Sequence, residues 1–153
     1  MNNKYIDKTL EISAILSFVA LILVVFIQVF SRFLLPSSPS WTEEASRFIF
    51  IYAIAFSAPL ALKRNEYVRV DILLNKFSEK IQNIIEYTIC CVIVIFFIGI
   101  AYYGIEFASY GKNQTSPALG LEMIIPYSAL AYSSIFVAYY SVERIINKRR
   151  GVE

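Results

Sequence analysis

Residues 12–30 read ISAILSFVALILVVFIQVF, nineteen positions without a charged side chain. A hydrocarbon core about 30 Å thick takes roughly 20 helical residues, and every backbone N–H and C=O inside it must be bonded within the segment. A run of this length therefore predicts a membrane-crossing helix. It is longer than the apolar core of a cleaved leader, roughly 7–15 residues, and no small-residue cleavage pattern follows Phe30, so the helix is expected to be retained. Outward from it, Tyr87 to Ile105 and Met123 to Val142 are uncharged runs of similar length. Phe48 to Leu62 is shorter: its 15 residues rise only about 22 Å as a helix. Extending that helix back to Trp41 restores the length and draws Glu43, Glu44 and Arg47 into the membrane boundary. Ser40-Trp41-Thr42-Glu43 has capping-box spacing, so the Ser40 hydroxyl is expected to bond the Glu43 amide while Glu43 reaches back.

Composition agrees with lipid as the solvent. Hydrophobic residues make up 58% of the 153 and charged residues 17%, against about 25% charged in ordinary soluble domains. The fold class is therefore all-α integral membrane: one domain over 1–153 with four transmembrane helices, at about 10–33, 41–63, 84–107 and 123–144. Net charge is +2 and the basic residues are spread along the chain, which argues against a nucleic-acid surface. There is no histidine, and Cys90 and Cys91 are adjacent rather than in a CxxC pattern. No catalytic, cofactor-binding or metal site is expected, and the chain reads as a non-enzyme.

Orientation follows from the cations. Lys4 and Lys8, then Lys63, Arg64, Arg69, Lys76 and Lys80, then Arg144, Lys148, Arg149 and Arg150 fall on one side, eleven in all. Arg32, Arg47 and Lys112 fall on the other. The positive-inside rule puts both termini and the middle loop in the cytoplasm, N-in/C-in. In that loop Leu73, Phe77, Ile81, Ile84 and Ile85 recur at helical spacing after Asp71, with polar residues opposite. This predicts an interfacial amphipathic helix at about 71–83, its apolar face on lipid or on another protein.

Ionisable groups beside a span are functional candidates. Arg47 stands four residues after Glu43 and three after Glu44, so it can neutralise either carboxylate on one helix face. The carboxylate left over either stays solvated at the positive end of the helix or meets a partner subunit, with Arg32 completing an external cluster. Ala53, Ser57 and Ala61, and Gly104 with Ala108, place small residues one turn apart and permit close helix approach. Pro59 removes the donor for the Ala55 carbonyl, and Pro126 suits the first turn of the fourth helix. No Asp, Glu, Lys or Arg falls near the centre of any span.

These residues resemble a known family. Arg32 followed by Trp41-Thr42-Glu43-Glu44-Ala45-Ser46-Arg47 is similar to the Trp-x-Glu-Glu-x-x-Arg signature of the small membrane subunit of TRAP transporters, the DctQ-like family. Residues 61–71, ALKRNEYVRVD, resemble its basic turn after span two, and residues 116–121, SPALGL, its approach to span four. The chain departs from the family at Tyr67, where histidine is frequent, and at Pro59, where a small residue is. The resemblance implies a tripartite, sodium-coupled importer of organic anions such as sialic acid or C4-dicarboxylates in the bacterial inner membrane. There a periplasmic substrate-binding protein delivers solute to a large multi-helix membrane subunit, and the small subunit serves as its scaffold. Arg32, Trp41, Glu43, Glu44 and Arg47 then become candidates for the partner interface.

Two rivals make different demands. A self-sufficient four-helix transporter needs a buried carboxylate in its first span, and Ile12 to Phe30 has none. A membrane-embedded oxidoreductase subunit needs a CxxC pair, haem-binding histidines or a polar catalytic cluster, and the sequence shows none of these.

Overall fold

The computed structural model describes residues 4–34, 39–64 and 78–149. Within them lie four long helices: α1 (Lys4–Leu34), α2 (Ser40–Lys63), α3 (Glu79–Tyr110) and α4 (Ile124–Arg149). At 1.5 Å per residue α1 and α3 reach about 46 and 48 Å, so both outrun the hydrocarbon core and must tilt or project from it. Of the expected interfacial helix, 71–77 lie outside the described residues. Residues 79–83 form the first turn of α3 and run into the apolar stretch without a break.

The expected capping box at Ser40 does not form. Pro39 is the N-cap, Ser40 is already helical, and no side chain caps the end. The hydroxyl that acts there belongs to Thr42, whose Oγ1 donates to the Pro39 carbonyl at 2.8 Å and is fully buried. The proline at the cap shifts the helix start by one residue, so Glu43 is no longer three residues beyond the cap. Further along, α2 runs through the buried Pro59 as a single helix.

Three of the described helices are long and apolar enough to cross a membrane: Lys4–Leu34, Ser40–Lys63 and Lys80–Asn113. Although α4 has 26 residues, it falls short on apolarity because serines and tyrosines interrupt it. Several of those polar atoms are matched within the chain. Ser134 Oγ bonds the Leu130 carbonyl at 2.7 Å and Ser141 Oγ the Val137 carbonyl at 2.8 Å. Tyr52 of α2 donates to the Ile125 carbonyl at 2.7 Å and lies 3.1 Å from Ser128 Oγ.

The helices pack in the order α1, α2, α4, α3, which leaves α1 and α3 on the flanks. The buried core lies where the start of α1 meets the ends of α2 and α4, and joins Leu10, Leu60, Leu62, Val137 and Tyr140. On α1 and α3, large apolar side chains such as Ile15, Phe18, Phe26, Ile95, Phe96 and Ile98 are exposed.

Between α3 and α4 the approach depends on glycine. A Cβ at Gly104 would stand 3.2 Å from the Ala131 backbone, and one at Gly111 would stand 2.5 Å from the Ile124 nitrogen. Gly111 lets the end of α3 touch the start of α4, closing the hairpin between them. At Gly99, by contrast, an added Cβ meets nothing within 4 Å. Gly111→Ala should therefore destabilise the protein by about 1–3 kcal/mol through forced backbone movement, whereas Gly99→Ala should stay within about 0.5 kcal/mol. Thermal unfolding of the detergent-solubilised variants would read the difference.

Candidate functional site

Two polar constellations stand at opposite ends of the helices, with an open groove beside one of them. The first gathers on Glu44. A lone carboxylate at the membrane boundary is costly unless donors surround it, and here the donors come from the segment before α4, seventy residues along the chain. Ser116 Oγ donates to Glu44 Oε2, and the backbone N–H groups of Ala118 and Leu119 reach the same oxygen at 3.1 and 3.0 Å. The loop is shaped for this. Thr115 pairs with Glu122 in an antiparallel bridge, the Gly120 N–H turns back to the Ser116 carbonyl at 2.9 Å, and the Ser116 N–H meets the Leu121 carbonyl at 2.8 Å. Gly120 adopts φ +65°, a left-handed conformation that a side chain would resist. Charge-assisted bonds to two consecutive amides make Glu44 a latch joining the start of α2 to the approach of α4.

At the other end, acids and bases pair across helices. Lys63 of α2 holds Asp7 of α1 at 2.5 Å and approaches Glu143 of α4 at 4.0 Å. Tyr140 donates to the other Asp7 oxygen at 2.7 Å, and Lys63 Nζ stands 5.0 Å from its ring. Arg64 pairs with Glu11 at 2.8 Å. Glu86 of α3 receives both Arg144, at 3.3 Å, and Lys148. Four helices are thus cross-linked at one level. From the sequence, Lys63, Arg64, Arg144 and Lys148 read as topology signals, with Lys63 and Arg64 also in the family-like basic turn, and Asp7 and Glu86 carried no reading. Their partners lie 53 to 133 residues away, and no local spacing marks them.

The residues singled out by sequence are divided between inside and outside. Glu44 is engaged within the chain. Glu43 and Arg47 are exposed and line an open groove of about 480 Å³ between α1 and α2, together with Leu21, Val25, Gln28 and Phe50. Among the described residues Arg47 makes no direct salt bridge with Glu43 or Glu44, although its charge acts on Glu44, whose oxygen the loop donors hold. Arg32 at the end of α1 is exposed, and Trp41 is 42% exposed. Ala53, Gly104 and Ala108 are buried, Ala61 is partly buried, and Ser57 is exposed with its hydroxyl on the Ala53 carbonyl at 2.8 Å. Among the described residues, no three His, Cys, Asp or Glu side chains gather where they could hold a metal ion.

Comparison with known proteins adds to this geometry. A family model described as the DctQ component of tripartite ATP-independent periplasmic transporters matches residues 21–151. A TRAP transporter small permease protein of Haemophilus influenzae is 31% identical over 142 residues, which cover 91% of this chain and 86% of that protein. The sialic acid TRAP transporter small permease protein SiaQ of Vibrio cholerae is 24% identical over 147 residues, 96% of this chain and 85% of that one. The isethionate TRAP transporter permease protein DctMQ of Oleidesulfovibrio alaskensis is 33% identical over 95 residues, which make up 61% of this chain but 15% of that much longer protein.

Removing the latch should loosen the loop. Glu44→Ala deprives the Ala118 and Leu119 amides of their acceptor and should cost about 1–3 kcal/mol, while Glu44→Gln keeps an acceptor oxygen and should lose less. Hydrogen exchange by mass spectrometry would show faster exchange over 116–120 in Glu44→Ala, with the Asp7 to Lys63 end unchanged.

Proposed function

The chain belongs to the DctQ component family of tripartite ATP-independent periplasmic transporters, and on that premise we propose that it is the scaffold subunit of a sodium-coupled importer of organic anions. The observation that carries the reading is the extent of the family match, 131 residues from position 21 to 151, which covers the body of the chain. In DctMQ a region similar to this chain forms part of one longer permease protein, which supports a large permease subunit as its partner here. A periplasmic binding protein is the third component, delivering solute from outside.

The physical features favour support over transport. Ionisable side chains occur at the helix ends, and the middle of each apolar run has none to couple an ion or a proton. The exposed apolar faces of α1 and α3 call for lipid or a partner helix. We assign four spans: the hydroxyls of Ser128, Ser134 and Ser141 return to carbonyls of α4 itself and Tyr140 bonds across to α1, so much of what lowers its hydropathy is matched within the chain. The Lys63 and Arg64 end faces the cytoplasm of a bacterial inner membrane, with both termini, and the Glu44 latch faces the periplasm. For the solute, the named relatives handle sialic acid and isethionate, both anionic at neutral pH, and sialic acid is the substrate of a relative aligned over 96% of this chain.

In sodium-loaded proteoliposomes the chain alone should take up no sialic acid, and uptake should need the large permease subunit and the binding protein together. Uptake by the chain alone, or undiminished uptake when it is omitted, would overturn the scaffold assignment. For topology, a phosphatase reporter fused after Asn113 should be active and one fused after Arg149 inactive; activity at both would remove the fourth span.

A further inference from the structure

Every carboxylate that links two described helices is matched inside the chain: Asp7 by Lys63 and Tyr140, Glu11 by Arg64, and Glu86 by Arg144 and Lys148. Glu44, at the boundary of α2, is matched by the 116–119 loop. Glu43 and Arg47 break this pattern. Both sit on α2 next to its uncharged stretch, which spans only about 22 Å and forces them into the membrane boundary. Both face the groove against α1, and neither makes a direct salt bridge among the described residues, Arg47 acting on Glu44 only through its charge. Gln28 of α1 adds an amide to the same groove, and its walls are Leu21, Val25 and Phe50.

A second open groove, of about 510 Å³, lies between α3 and α4 and offers the opposite chemistry. Ile95, Phe96, Gly99, Phe107 and Leu130 line it, with Tyr103 its one polar side chain. Acyl chains satisfy its apolar surface, which leaves one phenol hydroxyl to match. They cannot satisfy a carboxylate, a guanidinium and a carboxamide, which need donors and acceptors at fixed positions.

We infer that the α1–α2 groove seats a transmembrane segment of the large permease subunit, one that presents a polar side chain at the depth of Glu43, Arg47 and Gln28 between apolar flanks, and that the α3–α4 groove faces lipid. The inference rests on the small-permease reading and adds the docking face to it. Partner polar groups complete the hydrogen bonding that this chain leaves open, and apolar flanks fill the space between Val25 and Phe50. A lipid headgroup is the competing occupant.

The test uses the complex of this chain with its large permease subunit in native membranes. A photoreactive phenylalanine analogue is placed singly at Val25, Phe50, Ile95 or Phe96. Irradiation should give adducts with the large subunit from Val25 and Phe50, and lipid adducts alone from Ile95 and Phe96. Large-subunit adducts from Ile95 or Phe96, with lipid alone from Val25 and Phe50, would overturn the assignment, as would lipid adducts alone from all four sites. In the second of these cases, intact co-purification would leave the scaffold reading standing; loss of co-purification by the unaltered chain would end both. Arg47→Gln and Glu43→Gln should each lower recovery of the complex at least fivefold with unchanged membrane levels of this chain. Undiminished recovery of both variants would show that the groove's charges contact no subunit.

Discussion

Lipid gives a polar group no second chance, and the arrangement of this molecule follows from that. In water an unmatched hydroxyl or carboxylate costs little because solvent completes it; in hydrocarbon each such group costs several kcal/mol. The chain meets this constraint by short-range bonds in the helix bodies and long-range bonds at the helix ends. Ser57, Thr88, Ser134 and Ser141 return their hydroxyls to carbonyls one turn back. Tyr52 and Tyr140 cross to other helices. Among the described residues, no buried side-chain nitrogen or oxygen lacks a partner.

Because the hydrophobic effect does not drive helices together in lipid, packing and these end contacts hold the set. Close approach is greatest where α3 meets α4, at Gly104 against Ala131 and Gly111 against Ile124. Polar cross-links are densest where Asp7, Lys63, Tyr140 and Glu143 converge. Three helices meet there, and the fourth is tied to α4 through Glu86. At the other end, Glu44 connects α2 to the loop before α4. An assembly fixed at both ends in this way resists splaying without any charge in its interior.

How much of this was legible in the sequence depends on range. Apolar runs are local, so α1 and α3 could be read from Ile12 to Phe30 and from Tyr87 to Ile105. The backward extension of α2 to Trp41 was also legible, because bilayer thickness demands it. The capping box failed because Pro39 competes one position earlier, a choice that propensity rules leave open. Glu44 was recognised as a boundary charge, but the local rule offered Arg47 either to Glu43 or to it. Its actual donors are 72 to 75 residues away, and only the folded hairpin brings them near. SPALGL at 116–121 carried a partial sign: a serine four residues before a glycine suits a turn whose amides converge. Nothing local pointed to an acid as what they converge on.

Helical geometry then settles what two adjacent acids can share. Consecutive residues on a helix point about 100° apart, so Glu43 and Glu44 cannot serve one site, whereas Glu43 and Arg47, four residues apart, lie on one face. Once the 116–119 loop has taken Glu44, the face of α2 that carries it is turned toward α4, and the face that carries Glu43 and Arg47 is turned toward α1 and beyond. Fixing the inner contact therefore aims the outer one. The latch on Glu44 holds α2 in the rotation that presents Glu43 and Arg47 to the groove, and a residue bonded within its own chain governs what the chain can offer a neighbour.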